Sequence, residues 1–175
     1  MAYILAEGPP KSEIVPSNKD RFLRKETLQG FVHDEASAFF GGLAGNAGLF
    51  STARDVARVY QMLLNGGEID GQRYLIKETC QLFTTETSKI SRRGLGFDKP
   101  DADDPKKGNC APAAPAEVYG HTGFTGTCAW VDPVNELVYV FLSNRIYPDV
   151  TNRKLNQLHI RERIQGVIYD AMKKK

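Results

Sequence analysis

Apolar positions at Val56, Val59, Tyr60, Leu63 and Leu64 recur at helical spacing and form one stripe, which predicts an amphipathic helix. Thr52 offers it an N-cap oxygen, and Asp55, three residues on, the return partner of a capping box. Asn65-Gly66-Gly67 stops it, because glycine accepts the left-handed conformation at a helix C-terminus. Asp70-Gly71, between Ile69 and Tyr74, predicts a short hairpin turn. A second helix is predicted over 76–85, burying Ile76, Cys80 and Phe83. From 86 to 118 the periodicity disappears. Pro100, Pro105, Pro112 and Pro115 break the stretch, Asp101, Asp103 and Asp104 keep it wet, and only 94–97 reads as a short strand. A segment of that length serves a binding edge or is disordered.

Two strands are predicted next, over 127–131 and 137–142, with Asp132-Pro133-Val134-Asn135-Glu136 as the turn of an antiparallel hairpin. The second strand, Leu-Val-Tyr-Val-Phe-Leu, is apolar on both faces and is therefore expected at the centre of its sheet. A last helix over 159–172 places Ile160, Ile164, Val167, Ile168 and Ala171 on one face. Lys173, Lys174 and Lys175 meet the negative end of its dipole. Upstream, residues 1–29 are polar and broken by Gly8-Pro9-Pro10 and Pro16, which reads as an extended lead-in segment. The glycine-dense run 41–50 predicts tight turns and not helix. The pattern is α+β, an antiparallel sheet with helices packed on it, in one domain over 30–175.

Composition narrows the function classes without choosing among them. At 175 residues and 19.4 kDa, the chain is sized for one domain or part of a larger one. Lys+Arg 23 against Asp+Glu 21 leaves a net charge of +2, too small a field to expect nucleic acid as partner. Apolar runs are only a few residues long, so no membrane span is expected, and the first twenty residues carry no signal-peptide pattern. Cys80, Cys110 and Cys128 form no CxxC and no disulfide framework, although one bridge stays open. With His33, His121 and His159 equally scattered, neither a metal nor another cofactor is expected.

The densest chemistry lies in Tyr119-Gly120-His121-Thr122-Gly123-Phe124-Thr125-Gly126-Thr127. Two readings stand side by side. It is a bulged, glycine-rich strand with incidental hydroxyls, or its glycines let a substrate lie against bare backbone while His121 and Thr122 supply proton-bearing groups. Elsewhere, Gly-x-Ser-x-Gly is absent, no phosphate loop closes, and His33-Asp34-Glu35 reads as a solvated turn.

His121-Thr122-Gly123 at the start of a strand is similar to the third motif of serine β-lactamases and penicillin-binding proteins, where Lys-Thr-Gly is commoner. The run from Gly42 to Ala57, the helix end Gln61-Met62-Leu63-Leu64-Asn65-Gly66-Gly67, Gly94-Leu95-Gly96-Phe97 and Leu142-Ser143-Asn144-Arg145 resemble other segments of that family, in its order. The class C-like branch is the nearest in kind, and the whole stretch resembles domains fused to bacterial family 3 β-N-acetylglucosaminidases. The resemblance implies part of a β-lactamase/transpeptidase-like fold. It assigns catalytic roles to His121, Thr122, Gly123 and Phe124: His121 would organise charge beside the nucleophile's proton-transfer partners, Thr122 would hydrogen-bond the substrate, and the Phe124 N–H would be one of two oxyanion-hole donors. Asn144 and Arg145 would bind a substrate carboxylate, with strand cap and surface charge as the plainer alternative.

The family's Ser-x-x-Lys nucleophile is missing, since none of the seven serines has lysine three positions on, and no Tyr-x-Asn or Tyr-x-Ser occurs. The resemblance therefore implies the C-terminal part of a longer serine hydrolase. Its other partner would be the missing N-terminal part of the same polypeptide. The parent would split amides or esters of cell-wall peptides or related small molecules, in the bacterial periplasm or cell envelope. This chain alone is expected to be inactive and to self-associate through surface left uncovered. The alternative is a non-catalytic peptidoglycan-binding or scaffold module of the same fold.

Overall fold

The computed structural model describes residues 9–85, 90–104 and 107–173. Strands β1 (Pro16–Lys19) and β2 (Thr27–Gln29) come first, then helices α1 (Glu35–Phe39) and α2 (Ala53–Leu64). The hairpin β3 (Glu68–Ile69) and β4 (Gln72–Arg73) leads to helix α3 (Lys77–Thr84). Strands β5 (Tyr119–Thr122), β6 (Cys128–Asp132) and β7 (Leu137–Phe141) precede helices α4 (Lys154–Gln157) and α5 (Ile160–Met172). No helix among the described residues is long and apolar enough to cross a membrane.

The last three strands form an antiparallel sheet in the order β5-β6-β7. Every residue of β6 is buried, and its alternation sends the side chains two ways. Cys128 and Trp130 join Cys110, Val118 and Tyr139 in the core, with Ile168 of α5 packed against them. Val131 faces the other way. Its neighbour across the ladder, Tyr119, makes an edge-to-face contact with Phe97, which makes another with Tyr60 of α2. The sheet is thus covered by α5 on one face and by α2 on the other, the latter running along β6 and β7.

Local expectations hold where the residues act locally. The Asp55 N–H donates to Thr52 Oγ1 at 3.2 Å and starts α2. Asp70 and Gly71 both take positive φ, the geometry of a two-residue hairpin turn. The lead-in differs from an extended chain: residues 16–29 include the β1–β2 ribbon. Its connection is organised by buried Asp20, which accepts from Arg24 Nε at 2.6 Å and from the N–H groups of Phe22, Leu23 and Arg24. The Arg24 guanidinium and these amides hold the Asp20 carboxyl far below its usual range.

Four packing expectations are corrected. In α3 only Cys80 is buried; Ile76, which caps the helix, is 60% exposed and Phe83 is 44% exposed. Segment 94–97 forms no strand, and pairing in that region is limited to an Asp98–Gly120 bridge. The central strand is β6 and not the more apolar β7, because β5 and β7 both pair with it. Finally, α5 buries Arg161, Glu162, Gln165 and Tyr169, while Val167 is 68% exposed. Polar atoms under the helix set that rotation. Gln165 Oε1 accepts from Ala111 N–H at 2.8 Å, Tyr169 Oη donates to Asp132 Oδ2 at 2.8 Å, and Tyr139 Oη donates to the Arg161 carbonyl at 3.1 Å. Unpaired buried polar groups cost more than an exposed valine, so the hydrogen-bonding side turns inward. All three cysteines are free and buried, so no bridge forms. Lys174, Lys175, Ser88 and residues 1–8 lie outside the described residues.

Candidate active site

Strand β5 lies at the outside of its sheet. Its free side is met at Gly120, which exchanges hydrogen bonds of 2.7 and 3.0 Å with Asp98. Two residues on, the Thr122 main chain points the same way by alternation, away from β6. Between them His121 is exposed at the rim. Its Nδ1 sits 2.6 Å from the Thr122 carbonyl oxygen, and its Nε2 sits 3.3 Å from Arg93 Nη1.

Arg93 belongs to a charged group built on Asp98, which is 1% exposed. Asp98 accepts from Arg92 Nε at 2.8 Å and Nη2 at 3.1 Å, from Asn109 Nδ2 at 2.8 Å and from the Lys99 N–H at 3.0 Å. Arg93 Nε is 3.9 Å from the same carboxylate. Burial alone would raise the Asp98 carboxyl, but these donors and both arginine charges outweigh it and hold it below the ordinary carboxylate range. The same pair raises the Arg92 guanidinium. One buried anion thereby fastens Arg92 and Asn109 to the edge of β5 and sets an arginine beside His121.

Past β5 the chain turns tightly. Gly123 N–H donates to the Thr127 carbonyl at 2.8 Å, and Gly126 N–H to the Gly123 carbonyl at 3.0 Å. Gly126 has φ +105°, and a Cβ there would come within 2.5 Å of Ser143 Oγ, so glycine is required. The end of β7 grips this turn through Arg145 N–H to Thr125 O at 2.9 Å and Ser143 Oγ to Gly126 O at 2.9 Å. Phe124 at its tip is 61% exposed, and its N–H meets no acceptor among the described residues. Its ring stacks on His33 (centroids 5.3 Å apart, planes 9° apart) and carries the Arg145 guanidinium 4.7 Å from its centroid. Burial first, and the Arg24 charge second, lower the His33 imidazole below its ordinary value.

The structure therefore brings His121, Thr122, Gly123 and Phe124 onto one continuous edge and places Arg145 beside Phe124. Asn144 is set apart: its Nδ2 donates to the Pro16 carbonyl and ties β1 to the end of β7. Arg145 donates to the Val150 and Asn152 carbonyls at 3.3 Å each and forms no ion pair with a described acid. Among the described serines, Ser17, Ser51 and Ser143 donate to main-chain carbonyls and Ser37 to Asn46 Oδ1. None is paired with a lysine or histidine. A groove of about 800 Å³ between α2, α3 and the start of β5 holds none of the four edge residues.

Sequence reasoning missed His33 and Arg93. The triplet His33-Asp34-Glu35 did carry a local signal, since Asp34 caps α1 by accepting from the Ser37 N–H at 2.7 Å. Nothing in it pointed to a ring 91 positions away. For Arg93, the adjacent pair Arg92-Arg93 ahead of Asp98 was the only hint.

An antiparallel sheet between two helical layers, with a glycine-rich outer strand followed by a turn that carries an unpaired N–H, makes an α+β fold with an open strand edge. Comparison with known proteins agrees: the Beta-lactamase family matches residues 5–162, and the chain belongs to that family. The chain is 37% identical over 135 residues to proteins named "Putative D-alanyl-D-alanine carboxypeptidase" from Escherichia coli (strain K12), Salmonella agona (strain SL483) and Salmonella typhi. The alignment covers 77% of this chain and 31% of each relative, so the chain spans about a third of the length of these curated relatives.

Proposed function

We propose that this chain forms the substrate edge of a serine acyl hydrolase that acts on cell-wall peptides ending in D-amino acids, in the bacterial periplasm or envelope. The observation that carries the reading is the open Phe124 N–H in the turn just past β5, three residues on from His121, in a Beta-lactamase family chain. A substrate laid along β5 would meet the outward Thr122 main chain and present its scissile carbonyl oxygen to the Phe124 N–H. That donor would stabilise the negative charge that develops on the oxygen during acyl transfer. Thr122 and His121 would hydrogen-bond the substrate beside it, and Arg145 would face a substrate carboxylate from across the Phe124 ring. The names of the relatives support the D-alanyl peptide class.

The nucleophile is supplied by a segment other than those in this chain, because none of its seven serines carries the activating lysine. The same absence favours, as a second reading, a peptidoglycan-binding module that performs no chemistry. Incubation with a fluorescent penicillin, a p-nitrophenyl ester and a chromogenic cephalosporin, followed by intact mass, tests the assignment of the nucleophile. The expected result is unmodified mass without turnover. Stoichiometric acylation of one serine would place the nucleophile inside the chain and reject that part of the proposal. A D-alanyl-D-alanine peptide should shift the amide resonances of 121–127 in an ¹⁵N-labelled sample, and no shift at saturating peptide would reject the substrate edge itself.

A further inference from the structure

We infer that Arg93 is a positioning residue that, together with the Thr122 carbonyl, holds His121 as the neutral Nδ1–H tautomer with the Nε2 lone pair as the accepting nitrogen of the edge. The inference deepens the role proposed for His121 and rests on that reading for its functional meaning, though not for its geometry.

Two contacts decide the matter. A carbonyl oxygen only accepts, so the 2.6 Å contact between His121 Nδ1 and Thr122 O requires a hydrogen on Nδ1. A guanidinium only donates, so the 3.3 Å contact between Arg93 Nη1 and Nε2 requires a lone pair on Nε2. Only one neutral tautomer satisfies both. The opposite tautomer would set two donors face to face at Nε2 and two acceptors face to face at Nδ1. Arg93 can fill this role because it is braced: its Nε lies 3.9 Å from Asp98, whose carboxylate is already fixed by Arg92 and Asn109. The consequence for a ligand follows. When an anionic or hydroxyl-bearing group draws Arg93 aside, the nitrogen uncovered at the rim accepts a hydrogen bond and does not donate one.

Long-range ¹H–¹⁵N correlation of the histidine rings tests this on the whole ¹⁵N-labelled chain near neutral pH, without any ligand. Loss of one ring pattern in His121→Gln assigns the signals. The wild type is expected to show Nδ1 at the position of a protonated ring nitrogen and Nε2 at that of a bare one. In Arg93→Met the two signals should move toward each other as both tautomers become populated, and Arg93→Lys, which keeps a donor, should restore their separation. Unchanged amide shifts across β6 and β7 show that the variants retain the fold. A wild type with a protonated Nε2 or averaged signals, or an Arg93→Met spectrum identical to wild type, would overturn the inference. Neither outcome bears on acylation or peptide binding, so a failure here is separable from a failure of the proposed function.

Discussion

Phe124 shows how one exposed side chain organises groups from two distant parts of the chain. Its ring gathers His33 from ahead of α1 and Arg145 from the end of β7, while its own N–H stays open. Stacking of this kind contributes about 0.5–1.5 kcal/mol, enough to bias a tight turn toward one arrangement. His33 carries a testable consequence. Burial and the nearby Arg24 lower its folded-state affinity for a proton, and its buried Nδ1 has no partner that could receive a second ring hydrogen. The unfolded chain, with His33 near the ordinary value of 6.5, takes up the proton first. Stability contributed by neutral His33 is therefore present above about pH 6.5 and is lost as pH falls from there toward the lower folded-state value. His33→Phe keeps an aromatic ring without titration, so urea denaturation should show the variant gaining on wild type between neutral pH and pH 5. The opposite drift would mean that imidazolium is favoured at this position.

At the scale of elements, the approach of β5 to β6 depends on a missing side chain. A Cβ at Gly120 would lie 2.1 Å from the Ala129 carbonyl oxygen and 2.7 Å from Trp130 Cε3. Neither atom can move freely, because Ala129 is in the central strand and Trp130 is in the core. Gly120→Ala should thus destabilise the protein by about 3 kcal/mol. In Gly71→Ala nothing lies within 4 Å of the new methyl, and only the positive φ of +74° opposes it. That variant should cost about 1 kcal/mol. Chemical denaturation of both variants checks the contrast, and equal losses would show that the β5–β6 spacing is softer than the contacts indicate. The site depends on the same spacing, since β5 aligns His121 and the turn that carries Phe124.

For the molecule as a whole, the cysteines report integrity. Cys80, Cys110 and Cys128 come from three separate segments, all are buried, and burial pushes the Cys110 thiol up to about 12 and the Cys128 thiol up to about 11. Thiolate is the reactive form, so these groups are protected twice, by access and by protonation. Native protein should resist a thiol-reactive disulfide reagent near pH 8 on the time scale over which urea-unfolded protein releases three equivalents. Rapid reaction of one thiol without denaturant would mark a locally open core. Other apolar groups are left outside: Phe39 and Phe40 beside the glycine-rich turns, and Val167 on α5.

The chain by itself determined what short-range rules control. The Thr52 cap, the Asp70-Gly71 turn, the β6–β7 hairpin and the glycine-rich edge at 119–127 each need only a few neighbouring residues to specify them. The family, too, was legible in the sequence, in His121-Thr122-Gly123 and the order of the segments 42–57, 61–67, 94–97 and 142–145. Tertiary structure decided which strand is central, which side of α5 turns inward and which side chains reach the edge. Those outcomes depend on polar atoms far away in sequence: Asp132 and Ala111 N–H recruit Tyr169 and Gln165, and Asp98 holds the arginine that meets His121. A hydrophobic pattern records only the preference for burial. A buried hydrogen-bonding group needs a specific partner at a specific distance, and that partner is defined only once the chain has folded.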